Sequence, residues 1–381
     1  MNYSFFNPVA ISLLDSGSWA NKILNLVNKG EPVLFIYSYS ALKGVDKDGS
    51  FLKEISSFNN VKTLTKVESN PSIKQFAKIR ADLGKFSGTI VALGGGSVID
   101  FSKVLIAFNN GKDNLTEKEI LDMVVNKGYL NFPKGKINLI ALPTTSGTGS
   151  EMTKWATIWD MENKKKYSVE DNHLYPKEAW IDPELTLNLS RSVTISTALD
   201  AMCQATEAYW SSNSNTLVRR LSANSIKEII TNIYSLTDNL DDINLREKVA
   251  LGSVFSAISF SQTRTTASHA LSYPLTARFG IPHGTAVALT IVEVLKINWP
   301  FVKEKELFLE AFGVDKLDQI IIKLNKLLED FVYPEIKNID TTKLDQIINE
   351  DISSMGARLG NNPTPISKEQ IIEIYKKVLI K

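Results

Sequence analysis

Apolar residues in the first half of the chain form two kinds of segment. Short apolar runs at residues 32–38, 89–96 and 137–145 are typical of buried strands, whereas residues 72–86 and 97–108 carry apolar side chains at helical spacing. Because strands and helices alternate along the chain, we expect a mostly parallel, doubly wound sheet.

The pattern changes after this region. Residues 153–168 contain two alternating stretches around a polar turn at Glu162–Asn163, which predicts a hairpin.

After about Leu187 the strand pattern disappears, and apolar residues recur every three or four positions, as in helices. A chain of 381 residues is too long for one ordinary core. We therefore expect an α/β domain over residues 1–186 and an all-helical domain over 187–381. The six predicted helices of the second domain cover residues 195–210, 217–236, 245–260, 284–299, 317–331 and 367–381.

Composition excludes several classes of function. The chain has 43 basic and 42 acidic residues, so no excess charge favours binding to nucleic acid or to a membrane surface. Its single cysteine, Cys203, excludes a disulfide framework and suits a reducing compartment. No basic leader is visible, and no run approaches the roughly 18 apolar residues of a membrane span. We expect a soluble, cytoplasmic protein whose partners are small molecules.

Two segments rich in glycine and hydroxyl groups follow predicted strands. "GGGSVID" begins a helix, where glycines and free amides suit a phosphate group, although a tight turn explains them equally well. It lacks the spaced GxGxxG pattern of a standard dinucleotide fold. "LPTTSGTGSEMT" offers hydroxyls and bare amides at a strand's carboxyl end, and its alternative is a solvated polar loop. The two segments together favour a bound nucleotide.

Two of the chain's three histidines lie in one stretch, "SHALSYPLTARFGIPHG". In a single straight helix His269 and His283 would be about 21 Å apart. Gly280 and Pro282 break that helix, so we expect one helix to end near Phe279 and another to begin near His283. The two imidazoles can then face one space, although spacing alone favours satisfied core histidines over metal ligands.

A buried helix supplies further polar groups. Asp200 and Gln204 are four residues apart on one helical face, and Glu207 lies near the same face. Their neighbours in "ALDAMCQATEAYW" are mostly apolar, so these side chains need buried partners. A metal ion is one way to satisfy them.

The motifs in this order resemble the iron-containing (group III) alcohol dehydrogenase family over essentially the whole chain. The resemblance rests on "GGGSVID", "PTTSGTGSEMT", "DPELT", "DAMCQATEAYW", "HALSYPLTARFGIPHG" and "NNPTPISKEQI". It implies an α/β N-terminal nucleotide-binding domain plus an all-α C-terminal domain, the dehydroquinate synthase-like fold. It places the active site in the cleft between the two domains.

The resemblance also implies a divalent metal, Fe²⁺ or Zn²⁺. The family's ligand positions correspond to Asp200, Gln204, His269 and His283, so glutamine stands where the family has its first histidine. A further family histidine corresponds to Tyr273, which we therefore expect to be the catalytic proton donor, with water or the cofactor ribose as alternatives.

The implied cofactor is NADPH or NADH. NAD-preferring members carry an aspartate after the first strand, where this chain has Ser38, so we expect NADPH to be accepted because no carboxylate repels its 2′-phosphate. The residues matching the family's cofactor positions are Ser38, Gly95, Gly96, Ser97, Asp100, Thr144, Thr145, Thr148, Thr153 and Lys166.

Within the family, "WATIWDMENKKKYS" and "HALSYPLTA" are most similar to phosphonoacetaldehyde reductases. This implies reduction of phosphonoacetaldehyde to 2-hydroxyethylphosphonate, and a dianionic head group needs cations. Two alternatives stay open: a general short-chain alcohol or aldehyde dehydrogenase, and a metal-less member that binds nucleotide without turnover. Nothing in the sequence names a protein partner, and a homodimer is an untested expectation. The candidate substrate contacts are Trp155, Lys165, Phe260 and Arg264, although a surface or helix-face charge is the commoner role for a residue such as Lys165 or Arg264.

Overall fold

The computed structural model describes residues 4–379 except 164, 337–343, 345–349, 351–354 and 356–358. The last two residues of the predicted C-terminal helix lie outside the described residues. Six parallel strands form one sheet in the order β1-β8-β5-β4-β2-β3. Their bounds are Ala10–Leu13 (β1), Val33–Tyr37 (β2), Val61–Leu64 (β3), Gly88–Gly94 (β4), Ile137–Pro143 (β5) and Glu178–Ile181 (β8).

The central strand β2 explains why the apolar runs are continuous rather than alternating. All five of its residues are buried. Leu34 and Ile36 pack into the core on one face of the sheet, while Val33, Phe35 and Tyr37 pack into the core on the other. A strand covered on both faces is apolar at every position, as expected in a doubly wound sheet. The predicted strands at 32–38, 89–96 and 137–145 are confirmed as β2, β4 and β5.

Helices cover both faces of this sheet. The predicted helices at 72–86 and 97–108 are confirmed with slightly different ends, the first stopping at Leu83 before Gly84. The helices of this half are Trp19–Val27 (α1), Tyr39–Val45 (α2), Ser50–Ile55 (α3), Ile73–Leu83 (α4), Gly96–Phe108 (α5) and Glu117–Val125 (α6).

A separate two-stranded antiparallel sheet lies beside α5. Its strands are Trp155–Asp160 (β6) and Lys165–Glu170 (β7), so the predicted hairpin is confirmed. Asp160 stabilises the turn, because its carboxylate accepts hydrogen bonds from the backbone and side-chain nitrogens of Asn163 at 3.0 and 2.7 Å.

The described residues after 186 contain no strand, as predicted. Eight helices of this part pack around one large apolar core. Whether the domain boundary lies at residue 186 stays a prediction. Among the described residues, no helix is long and apolar enough to cross a membrane. The helices are Arg191–Trp210 (α7), Thr216–Asp238 (α8), Ile243–Thr263 (α9), Ala267–Phe279 (α10), His283–Asn298 (α11), Lys305–Ala311 (α12), Leu317–Leu327 (α13) and Lys368–Leu379 (α14).

Three strands of the main sheet were not predicted from the sequence. β1 and β3 are four-residue strands at the sheet's edges and are largely exposed, so they carry little apolar signal. β8 is equally short, with only four residues. It pairs with both β1 and β5 inside the sheet.

Candidate active site

Asp200, His269 and His283 meet where three helices converge. Asp200 belongs to α7, His269 to the first turn of α10, and His283 begins α11. One ligand atom from each residue lies within 4.8 Å of the other two, and the two imidazole centroids are 5.5 Å apart. The predicted break after Phe279 is present, so the two histidines face one space.

The close approach of α11 to α7 depends on Gly284. A Cβ atom at this position would lie 1.8 Å from the backbone oxygen of Ser196 and 2.9 Å from the Cβ of Asp200. Neither atom belongs to a flexible side-chain end, so any larger residue would push α11 away from α7. The glycine after His283 is therefore what lets this imidazole approach Asp200.

Glu207 orients the imidazole of His269. This carboxylate is fully buried, and its Oε2 lies 2.5 Å from His269 Nδ1. It also accepts hydrogen bonds from the backbone N–H groups of Thr266, Ser268 and His269 at 3.1, 2.6 and 3.2 Å. With Nδ1 held by a carboxylate, Nε2 faces the cluster, 3.2 Å from Asp200 Oδ1. Metal-binding histidines generally have such a partner on their second nitrogen.

The electrostatics of the cluster favour positive charge. Burial alone would lower the pKa of His269, but Glu207 and Asp200 outweigh it and raise that pKa to about 10. Burial alone would raise the pKa of Asp200, but the hydrogen bond from His269 and the charges of both histidines hold it below its usual value. Two imidazoles and a carboxylate are ligands that suit Zn²⁺ and Fe²⁺, so these residues fit a divalent metal ion.

Gln204 lies one helical turn beyond Asp200 and is buried. It lines the same cleft as the cluster, and its Oε1 is 3.4 Å from the hydroxyl of Ser256. A neutral amide oxygen is a weaker ligand for Zn²⁺ or Fe²⁺ than an imidazole nitrogen. We therefore expect a metal held mainly by the three cluster residues.

The two glycine- and hydroxyl-rich segments lie side by side. β4 and β5 are adjacent parallel strands, with Gly94 opposite Pro143, so both segments leave the same edge of the sheet. α5 begins at Gly96 after the extended residue Gly95. A Cβ at Gly96 would lie 2.8 Å from the hydroxyl oxygen of Thr148, so the first turn of α5 packs directly against the second segment. Free amides of α5 next to threonine hydroxyls suit a diphosphate.

The nucleotide segments and the histidine cluster line one cleft of about 440 Å³. Most of the residues predicted for the site meet there. Those lining it are Gly96, Ser97, Asp100, Thr148, Thr153, Trp155, Lys166, Asp200, Gln204, Phe260, Arg264, His269, Tyr273 and His283.

Other predicted residues lie outside the lining of the cleft. Lys165 is exposed, because adjacent residues of a strand point to opposite faces and Lys166 takes the cleft side. Thr144 is buried and donates its backbone N–H to Gly94. The Thr145 side chain lies 3.4 Å from where a Cβ atom of Gly95 would be. Ser38 caps the N-terminus of α2, where its hydroxyl accepts the N–H of Ala41.

Arg264 has an unusual backbone conformation at the mouth of the cleft. Its φ of 60° and ψ of 176° lie in a region that essentially only glycine occupies. Its guanidinium carbon lies 5.4 Å from the centre of the Trp155 ring, and its Nη2 is 2.5 Å from Oε2 of Glu170. Trp155 in turn packs against Phe260 with ring centroids 5.8 Å apart. Such strain concentrates at functional sites.

Tyr273 lies between the cluster and Lys166. Its ring stacks on the imidazole of His283 with centroids 5.7 Å apart, and Lys166 Nζ lies 4.6 Å from the ring centre. Charge from Lys166 also reaches Asp200, whose pKa it helps to lower after the stronger effects of the histidines. Tyr273 and Lys166 therefore supply a phenol and a cation beside the cluster of Asp200, His269 and His283.

Comparison with protein families agrees with this geometry. The model "Iron-containing alcohol dehydrogenase" matches residues 17–183, and "Fe-containing alcohol dehydrogenase family, C-terminal" matches residues 194–379. The chain belongs to the iron-containing alcohol dehydrogenase family. It is therefore an oxidoreductase that acts on alcohols or aldehydes, and its family uses NAD(P)H and a divalent metal.

Several characterised proteins are similar to this chain. A 4-hydroxybutyrate dehydrogenase from Clostridium kluyveri is 29% identical over 81% of this chain and 83% of its own length. A phosphonoacetaldehyde reductase from Streptomyces viridochromogenes is 31% identical over 59% of this chain and 55% of its own length. The chain spans only 33% of another relative, an aldehyde-alcohol dehydrogenase from Entamoeba histolytica.

Solved structures share the whole fold. Sulfoacetaldehyde reductase from Bifidobacterium kashiwanohense, solved in complex with NAD⁺, has a TM-score of 0.83 and 25% identity. The match covers 100% of this chain and 99% of that one. The expected fold class, an α/β nucleotide-binding part followed by a helical part, is thus confirmed.

Sequence reasoning missed the residues that hold the loops of this cleft in place. The amine of Lys103, fully buried, donates to the backbone oxygen of Ser150 at 2.5 Å and to the hydroxyl of Thr153 at 3.0 Å. Burial lowers the pKa of Lys103 to about 8 and raises that of the neighbouring buried Glu151 to about 7. A lysine inside the apolar stretch "SVIDFSKVLIAF" was the available signal.

Asp100 has a related structural role. One carboxylate oxygen accepts the backbone N–H of Thr157 at 2.7 Å, and the other accepts the hydroxyl of Ser150. Asp100 therefore ties α5 to both the second segment and β6. Glu170 and Asn361, which also line the cleft, were not among the predicted site residues.

Proposed function

We propose that this enzyme reduces a short aldehyde that carries an anionic head group, with phosphonoacetaldehyde as the first candidate and 2-hydroxyethylphosphonate as the product. The observation that carries the proposal is Arg264, a strained residue whose guanidinium lies over Trp155 at the cleft containing the histidine cluster. Lys166 lines the same cleft and supplies a second cation. Lys165, which we had expected in this role, is exposed, so we assign the role to Lys166.

Some relatives are named for uncharged alcohols, such as a 1-propanol dehydrogenase and a butanol dehydrogenase. Three others support the proposed substrate class by name: a phosphonoacetaldehyde reductase, a sulfoacetaldehyde reductase and a 4-hydroxybutyrate dehydrogenase. Their named substrates carry a phosphonate, a sulfonate and a carboxylate, so an anion at one end and an oxidisable or reducible carbon at the other is common to all three. A guanidinium recognises each of these groups through charge-assisted hydrogen bonds.

The residues of the cleft have distinct roles in the proposed reaction. When bound, a divalent ion supplies Lewis-acid polarisation of a carbonyl and reduced nicotinamide supplies hydride. Asp200, His269 and His283 would hold the ion, with Gln204 as a further neutral oxygen donor. The amides of Gly96 and Ser97 would hold the cofactor's diphosphate.

Tyr273 is the proposed proton donor. Its ring lies against His283 and beneath Lys166, so the phenol borders the cluster where an alkoxide would form. Water and the cofactor ribose remain alternative donors.

Acceptance of NADPH is part of the proposal. Ser38 directly follows β2, and its hydroxyl lies 3.1 Å from that of Ser40, so hydroxyls stand where NAD-preferring members have a carboxylate. Asp46 is the next acidic residue along the chain. Its carboxylate accepts hydrogen bonds from the backbone N–H groups of Phe51 and Leu52 at 3.0 and 2.9 Å. The 2′-phosphate of NADPH would therefore meet no repulsion from these groups.

The proposal is tested by following NADPH and NADH oxidation with phosphonoacetaldehyde, sulfoacetaldehyde, acetaldehyde, propanal and lactaldehyde. Each assay is run with added Zn²⁺, with Fe²⁺, and with a chelator. We expect kcat/KM to be highest for the anionic aldehydes. Equal kcat/KM for propanal would contradict the proposed substrate class.

The Arg264→Gly variant tests the anchor directly. Glycine adopts this backbone conformation without strain, so the protein should fold normally while the guanidinium is lost. We expect KM for the anionic aldehydes to rise roughly tenfold or more, with little change for propanal. An equal change for both substrate types would assign Arg264 a structural role instead.

One observation favours a second candidate, a general short-chain alcohol or aldehyde dehydrogenase. Trp155 and Phe260 form an apolar wall beside Arg264, and such a wall accommodates an alkyl chain. High activity on propanal and acetaldehyde would support this candidate. A homodimer and a cytoplasmic location stay predictions, to be measured by light scattering and by cell fractionation.

A further inference from the structure

Glu170 is the ion-pair partner of Arg264 in the cleft. It ends β7, lines the cleft, and bonds Arg264 through Oε2 at 2.5 Å. Its other oxygen, Oε1, lies 3.5 Å from Nζ of Lys154. The two carboxylate oxygens are therefore engaged by two different cations.

Two opposing effects act on the pKa of the Glu170 carboxylate. Burial alone would raise the pKa of Glu170, but the hydrogen bond and charge of Arg264, helped by Lys154, keep it below its usual value. Glu170 is thus ionised at neutral pH. The side chain of Arg264 is 55% exposed, so its contact with Glu170 is the kind of partly solvated ion pair that contributes little to stability.

Such a pair can exchange partners at low cost. If an anion takes the guanidinium of Arg264, Glu170 still keeps Lys154 through its other oxygen. The backbone of Glu170 stays fixed meanwhile, because its N–H donates to the hydroxyl of Tyr129 at 2.8 Å. Only the side chain needs to turn, so the exchange leaves β7 in place.

We propose that Glu170 is a specificity-determining residue, an internal counter-ion of Arg264 that a substrate head group must displace. This rests on the proposed function, since it assumes that Arg264 binds the head group. A neutral aldehyde cannot displace a carboxylate from a guanidinium, so it meets a neutralised Arg264. Every anionic head group must break the same ion pair, so Glu170 raises KM for anionic aldehydes alone and limits how strongly the site prefers them to neutral ones.

The Glu170→Gln variant tests this inference. The amide keeps the shape of the side chain but lacks the charge that competes with the substrate. We expect KM for phosphonoacetaldehyde and sulfoacetaldehyde to fall roughly twofold to fivefold, as the loss of a partly exposed ion pair predicts. The KM for propanal should not change. The inhibition constant of ethylphosphonate, an unreactive analogue, should fall by the same factor.

Asp171→Asn is the matched control. This neighbouring carboxylate accepts the backbone N–H of His173 and pairs with Lys134, outside the lining of the cleft. Its substitution removes the same charge one residue away, so it reports the effect of net charge alone. We expect no change in KM for any of the three aldehydes.

The outcomes separate the two proposals. If Glu170→Gln changes no constant while Arg264→Gly raises KM for the anionic aldehydes, the role of Glu170 is wrong and the proposed function stands. If neither variant distinguishes anionic from neutral aldehydes, the proposed substrate class is wrong. An equal fall in KM for propanal would mean that Glu170 only narrows the cleft, which would overturn the inference.

Discussion

The two halves of the cleft are built in different ways. The nucleotide half consists of backbone amides and hydroxyls from two short segments, each local in sequence and each following one strand of the sheet. The metal half consists of side chains from α7, α10 and α11, with Asp200 and His283 separated by more than 80 residues along the chain. Local motifs suffice for the first half, whereas the second exists only when three helices pack correctly.

This difference predicts how strongly substitutions in each half of the cleft affect the enzyme. Substitution of one hydroxyl or amide donor in the nucleotide half leaves its neighbours in place, so effects should be modest and selective. The metal half has few donors and depends on close helix packing, so single substitutions should have large effects there.

The largest effect is expected from His269→Ala and His283→Ala. Each removes one of the donors that meet within 4.8 Å, so elemental analysis after dialysis should find metal lost in both variants. Loss of Lewis-acid stabilisation should lower kcat by roughly 10³-fold or more. His173→Ala is the matched control, because this third histidine contacts Asp171 outside the cleft. Unchanged metal content in His269→Ala and His283→Ala would contradict the assignment of these two histidines as metal ligands.

Gly284→Ala should have the next largest effect. The added methyl group would meet the backbone oxygen of Ser196 at 1.8 Å, so α11 and His283 must move away from Asp200. A displacement of about 1 Å at a reacting centre can lower kcat roughly 100-fold. Gly128→Ala is the control, since its methyl group would make an ordinary contact of 3.4 Å with Met123. Wild-type metal content and kcat in Gly284→Ala would show that the two helices are not coupled in this way.

Gln204→His should strengthen metal binding. It replaces a neutral amide by an imidazole one turn from Asp200, so we expect the Kd for Zn²⁺ to fall roughly tenfold, equivalent to about 1.4 kcal/mol. Competition with a chromogenic chelator measures the change. A Kd that stays the same would indicate that position 204 does not face the ion.

The smallest effect is expected from Ser38→Asp in the nucleotide half. A carboxylate at the end of β2 would repel the 2′-phosphate of NADPH and accept hydrogen bonds from the ribose of NADH. We expect the ratio of kcat/KM for NADPH to that for NADH to fall roughly fivefold, a change of about 1 kcal/mol. Ser57→Asp, on the exposed surface beyond α3, controls for added charge. If the ratio of the two kcat/KM values did not change, the ribose of the cofactor would not bind next to position 38.

The predictable part of the structure follows the strength of local signals. β2, β4 and β5 were predicted because a strand buried on both faces is apolar throughout. β1 and β3 were missed because edge strands with exposed residues lack that signal. The helix break before His283 was predicted correctly because glycine and proline act locally on the backbone.

Long-range partners were not predictable in the same way. Glu207 was recognised only as a polar residue in an apolar helix, and its bond to His269 joins positions 62 residues apart. Glu170 and Arg264 pair although they are 94 residues apart in the sequence. Neither this ion pair nor the contact between Glu207 and His269 alters the local spacing of apolar residues. The unusual backbone of Arg264 is likewise invisible in a sequence that has arginine at that position.

By itself, the sequence determined the buried strands β2, β4 and β5, most helices of the second half and the chemical inventory of the cleft. Glycines and hydroxyls follow buried strands, and two of only three histidines flank a helix break, because turns, caps and periodicity depend on neighbouring residues. Only the tertiary structure decided which of these groups meet. Packing of α11 on α7 through Gly284 brings His283 to Asp200, and strand alternation turns Lys166 rather than Lys165 into the cleft. Contacts between distant segments depend on how whole helices and sheets fit together, which no local pattern records.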